Sequence, residues 1–257
     1  MRSLRCIVAV LLIAGATPVA AADDDPPAAD AASSQLSDWV SPERVESTLT
    51  TVLLFSALSL APALLLMTTC FVRFSIVLAL LRQALGTQGV PSNQVLAALA
   101  IFMTATIMTP VWKEIHQDAV APYRAKEISG TDAIARAKSP VHQFMARQID
   151  RTGNSDDVWL FLDRSGQDST AIESYDQVPF QVLAPAFLLS ELKTAFMIGF
   201  QIYLPFLVID LVVATVIVGM GMITVSPTVV SLPAKLMLFV LVDGWHLIVG
   251  SLLESVA

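Results

Sequence analysis

The three histidines, His116, His142 and His246, are the first places to look for chemistry. They fall in three separate segments and lack the HExxH spacing that sets two imidazoles on one helical face for a metal. Cysteine supplies only Cys6 and Cys70, too few for a thiolate cluster. No GxxxxGK[ST] phosphate loop, GxGxxG dinucleotide turn or GxSxG nucleophile elbow occurs. Neither a metal, a nucleotide nor another cofactor is therefore expected, and any nucleotide-driven work must come from another protein. Asp210 and Asp243 could form a carboxylate dyad in which proximity raises one pKa for acid and base roles. Their contexts, Val208-Ile209-Asp210-Leu211 and Val242-Asp243-Gly244-Trp245, are unlike and offer no partner that would activate water. An intramembrane enzyme and a small-solute transporter stay open as alternatives, the second against the lack of repeated halves that many transporters show.

The ionisable residues that call for an explanation are Glu191, Lys193, Asp210, Lys235 and Asp243, which lie in an otherwise apolar block from Phe180 to Leu253. An unpaired charge near a bilayer centre costs roughly 2.5–3.5 kcal/mol on insertion scales and more by simulation. Pairing between helices or subunits is expected, with Glu191 and Lys235 as the preferred pair; the other reading puts some of these groups at helix ends in the headgroup region. In the same block Met220 and Met222 sit beside Gly219 and Gly221. Methionine is flexible and polarizable, so a ring of such side chains from several subunits could close a pore to ions yet deform around a passing chain. Ordinary packing is the alternative for two methionines.

The elements that must carry these residues follow from composition. Of 257 residues 55% are apolar and 14% charged, against roughly 25% charged in soluble domains, and the mean hydropathy is +0.68. These values point to a membrane protein. The net charge of -7 and the lack of a long basic run argue against nucleic acid. Residues 1–22 read as a signal peptide: Arg2 and Arg5 precede the apolar Ile7–Gly15 run, and Ala20-Ala21-Ala22 offers small residues for cleavage. Residues 23–48 form an acidic linker leading into a helix start at Ser41-Pro42.

A first helical hairpin is expected over 49–112. It comprises an uncharged span from Leu49 to Val72 that Pro62 should kink, a loop at 73–94, and a second span from Val95 after the Pro91-Ser92-Asn93 start signal. The loop carries Arg73 and Arg82 without an acid, which puts it on the cytoplasmic side. Residues 113–179 are water-compatible, with eight basic and eleven acidic residues between 113 and 177, and read as an exported insert. Its helix is expected to open at Ser139-Pro140, with Val141, Phe144, Met145 and Ile149 on one face. The last block, 180–257, is too long for one span: Leu183 to Val218 as a helix would measure about 54 Å. Either it breaks at Pro185 or Pro205 or it is not fully immersed. It reads as a kinked hairpin turning at 219–227, giving an all-α membrane protein.

Several stretches are recognisable as a set: Arg73 through Thr87 followed by Pro91 and Asn93; Phe144-Met145-Ala146-Arg147-Gln148; Ser190-Glu191-Leu192-Lys193-Thr194-Ala195-Phe196; Pro205 through Leu211; and Leu232 through Trp245. From about residue 45 to the end, the chain resembles the FliP family of flagellar export proteins and its type III secretion (SctR) counterparts. The resemblance implies a core export-gate subunit in the bacterial inner membrane, assembling in several copies with FliQ-type and FliR-type subunits into a spiral pore. It also implies association with FlhA-type and FlhB-type proteins and transient passage of unfolded exported proteins, driven by the proton motive force with a separate ATPase assisting. The signal peptide and the Leu247–Leu252 ending favour the flagellar branch; an injectisome subunit is the alternative. Where family members carry consecutive methionines this chain has Met222-Ile223-Thr224. The implied gate is Met222 and Ile223, aided by Met220, and the resemblance also implies an ion pair of Glu191 with Lys235 that holds subunits together.

Overall fold

The computed structural model describes residues 42–87, 89–166, 174–222 and 224–256. The expected signal peptide, most of the acidic linker and the gate residue Ile223 lie outside them. Among the described residues every regular element is helical. In order these are α1 (Pro42–Met67), α2 (Phe71–Leu85), α3 (Asn93–Ile115), a π-helical turn (His116–Val120), α4 (Ala121–Arg124), α5 (Gly130–Thr152), α6 (Ser155–Arg164), a 3-10 turn (Tyr175–Gln177), α7 (Phe180–Gly219), α8 (Pro227–Leu241) and α9 (Gly244–Glu254). The run Asn93–Arg124 and α7 are long and apolar enough to cross a membrane, and α8 with α9 forms a third candidate bent by 65°. The chain is thus an all-α membrane protein.

By contacts the chain divides into two units, Met1–Ser59 and Leu60–Ala257. The described part of the first is the opening of α1, with exposed Val52, Leu53, Leu54, Phe55 and Leu58. The helix is continuous past position 62 and ends at Met67.

The second unit is built around α2. Phe74, Val77, Leu78, Leu81 and Leu85 recur at helical spacing and are all buried, mainly against α7. The expected loop at 73–94 is therefore a helix through Leu85, closed by Gly86 in the left-handed conformation at φ 72°. Where α2 meets α7, Gly199 is the contact point: a Cβ there would lie 2.2 Å from Leu80 Cδ1, so this crossing is set by the missing side chain. The α3 start falls where the sequence puts it, with Ser92 Oγ accepting from Val95 N.

The insert helix opens earlier than expected. Ser129 caps α5 by accepting from Asp132 N at 3.2 Å, and the helix then runs through Pro140 to a left-handed cap at Gly153. A proline inside a helix removes one backbone bond, which the burial of Phe144, Met145 and Ile149 outweighs. Phe144 meets Phe187 of α7 edge to face, with ring centroids 6.1 Å apart. The 40-residue α7 is continuous despite Pro185 and Pro205, about 60 Å long at 1.5 Å per residue. Its first quarter is covered by α2, α5 and α6, whereas Phe196, Phe200, Leu207, Leu211 and Val216 further along are exposed.

Candidate functional site

The buried charges gather into two nodes on α7. The first centres on Arg73, whose side chain is completely buried. Position 73 lies four residues before Val77 and eight before Leu81, which places it in line with the buried stripe of α2. Its guanidinium takes Glu191 of α7 in a two-pronged pair: Nε donates to Oε2 at 2.8 Å and Nη2 to Oε1. The remaining donors reach Ser255 O at 2.7 Å, Ser255 Oγ at 3.3 Å and Gln148 Oε1 at 3.4 Å. Gln148 Nε2 and Arg151 Nη1 in turn donate to Val256 O at 2.9 and 2.8 Å. One cation thus joins α2, the insert helix α5, α7 and the end of α9. The planar fork of Arg suits this work because it can satisfy a carboxylate with two donors and still hold carbonyls with the others.

Beside this node a polar seam fastens the insert to α7. Ser190 Oγ lies 2.9 Å from Thr152 Oγ1, and Asn154 Nδ2 donates to Ser190 Oγ at 2.9 Å. One turn on, half-exposed Lys193 pairs with buried Asp157 at the start of α6.

The second node joins α7 to α8. Lys235 Nζ is buried and donates to Asp210 Oδ2 at 2.6 Å and to Ala84 O at 2.9 Å, while Ser231 Oγ donates to Asp210 Oδ1 at 2.6 Å. Ala84 lies in the last turn of α2, where carbonyls lack helical partners and the helix dipole favours a cation.

Within the chain each of the two expected partners meets a different residue. Glu191 and Lys235 do not meet within the chain: Glu191 is taken by Arg73 and Lys235 by Asp210. The cation that reaches Glu191 within the chain comes from outside the last block, 118 positions earlier. Arg73 likewise leaves the loop to which it was assigned, because a buried helical position gives it an acidic partner. Arg82 is half-buried, and its Nη1 donates to Pro91 O at 3.4 Å. Both oxygens of Asp210 are occupied, which takes it out of a dyad with Asp243. Asp243 stands exposed at the bend between α8 and α9. Met220 and Met222 stand at the turn of the α7–α8 hairpin, 61% and 45% exposed. Sequence reasoning missed Gln148, Asp157, Ser231 and Ser255. Of these Gln148 carried a signal, lying four residues after Phe144 on the apolar face of α5. Among the described residues no group of three His, Cys, Asp or Glu could hold a metal.

Comparison with known proteins agrees with the residue pattern. The model of the FliP family matches residues 54–252. The flagellar biosynthetic protein FliP of Bacillus subtilis (strain 168) is 46% identical over 214 residues, which are 83% of this chain and 94% of that protein. The protein of the same name from Pectobacterium carotovorum is 49% identical over 80% of this chain and 77% of its own length. That of Caulobacter vibrioides is 48% identical over 79% and 74%.

Proposed function

The chain belongs to the FliP family, a flagellar biosynthesis and export protein of the membrane, and from that premise we propose that it is a core subunit of the flagellar protein-export gate. In this reading several copies, with FliQ-type and FliR-type subunits, surround a pore in the bacterial inner membrane. FlhA-type and FlhB-type proteins associate with it, unfolded flagellar proteins pass through it, and the 113–179 insert lies on the periplasmic side. Met220 and Met222 at the hairpin turn, together with Ile223, close the resting pore. The role is conduction rather than catalysis.

The observation that supports this best is how charge and apolar surface are divided. Glu191, Lys193, Asp210 and Lys235 are neutralised inside the chain, so the hairpin can present apolar faces outward. That exposed apolar surface continues from α7 around the turn and along α8, and α7 is about twice as long as a hydrocarbon core is thick. A helix of that length needs protein as well as lipid beside it. Mass measurement of the complex extracted in mild detergent tests the reading: several copies with partner subunits are expected, and a monomer without partners would overturn it.

A further inference from the structure

Of Glu191, Lys193, Asp210, Lys235 and Asp243, four have partners within the chain and Asp243 makes no ion pair among the described residues. Its position is built with some care. Asp243 adopts φ 49° and ψ 54°, the left-handed region that side chains other than Gly, Asn and Asp rarely enter. It stands at the N-terminus of α9, yet its carboxylate does not cap that helix. The elbow is packed from within: a Cβ on Gly244 would fall 2.3 Å from the Phe239 ring, and Phe239 meets Trp245 edge to face at 5.4 Å. The carboxylate is therefore carried on a fixed bend rather than on a loose loop.

The surroundings of this carboxylate are apolar. Val240 and Leu241 are 75% and 77% exposed, and Met237, Val242 and Leu247 are exposed around it. Its place along the hairpin follows from the register. Ser231 and Lys235 stand opposite Asp210, and Phe239 stands opposite Phe206 at 6.4 Å. One more step of four residues sets Asp243 level with about residue 202 of α7, near the middle of that 40-residue helix.

We propose that Asp243 is an intersubunit anchor that accepts the Lys or Arg of a different protein, whose apolar helix covers the 237–247 elbow. The inference rests on the export-gate reading and names the contact by which a partner subunit is held. A second copy of this chain is a poor occupant. Of the cations in its apolar helices, Arg73, Lys193 and Lys235 already hold acids, which leaves Arg82, itself bonded to Pro91, and Lys113, which stands beside Glu114 where the apolar run of α3 ends. A lone carboxylate in an apolar field selects a helix that is apolar with one cation at matching height.

The test uses the full chain co-expressed with the other export-gate subunits, the wild-type complex serving as the control for the reading beneath. Asp243→Asn and Asp243→Gly both tolerate the left-handed backbone, so each removes the charge and keeps the elbow. Recovery of the partner subunit with either variant is expected to fall by roughly tenfold or more, while thermal unfolding of the purified chain is unchanged. Asp243→Lys should lose the partner altogether, and second-site revertants should change a Lys or Arg of another subunit to an acid. Full recovery of the wild-type complex with the Asn and Gly variants would overturn the proposal. So would unfolding of the chain in both variants, or revertants confined to a Lys or Arg of this chain.

Discussion

Separating Arg73 from Glu191 should do more damage than any other single change in the described core. Both side chains are completely buried, and Glu191→Leu would leave the guanidinium with only Ser255 and Gln148 as acceptors, all neutral. Removing one partner of a buried pair costs about 3–5 kcal/mol, because the remaining charge is left uncompensated. At 1.4 kcal/mol per tenfold this is roughly two to three and a half orders of magnitude in the folding equilibrium. For a chain of this size it lowers the unfolding midpoint by about 6–20 °C at 2–4 °C per kcal/mol. Arg73→Met alone should cost a similar amount. The double variant Arg73→Met with Glu191→Leu should recover most of the loss, since apolar groups of similar volume often replace a buried pair at little cost. Thermal unfolding in detergent of the four forms gives the coupling energy, which should exceed about 1 kcal/mol, whereas the cycle of Glu191→Leu with Lys235→Met should be additive within about 0.5 kcal/mol. Additivity for Arg73 with Glu191, combined with strong coupling of Glu191 to Lys235, would refute the assignment and restore the pairing expected from sequence.

At the second node Lys235→Met should cost about 1–3 kcal/mol, for it leaves both Asp210 Oδ2 and the Ala84 carbonyl without the ammonium. Asp210→Asn should cost less because Ser231 can still donate to the amide oxygen; the ranking is read from unfolding midpoints, and a reversed order would sink it. For the gate, Met222→Ala with Ile223→Ala should raise ion leakage in cells expressing the complex, and unchanged conductance would remove the gating role.

Local punctuation was legible in the sequence and long-range pairing was not. Ser92 before an apolar run carries its meaning within a few residues, and the helix starts where expected. Ser139-Pro140 looked like a helix start for the same local reason. It failed because Ser129 already caps α5 and the burial of Phe144, Met145 and Ile149 holds the helix together through the proline. The apolar block correctly marked Glu191, Lys193, Asp210 and Lys235 as charges in need of partners. It could not say which, because Arg73 and Asp157 come from elements far away in sequence that the fold brings to α7. The four-residue spacing of Arg73, Val77 and Leu81 was the available clue that this arginine faces the core.

The node at Arg73 also sets a timetable for biosynthesis. Its carboxylate is 118 residues downstream and its carbonyl acceptor 182. At about 5–20 residues per second the ribosome needs about 6–24 s to supply Glu191 after Arg73 and about 9–36 s to supply Ser255. Throughout that interval α2 holds a cation with no internal counter-charge, so it must wait at the water-facing side of the membrane or beside an insertion factor. The helix α2 thus settles only after residues 118 and 182 positions downstream have been made.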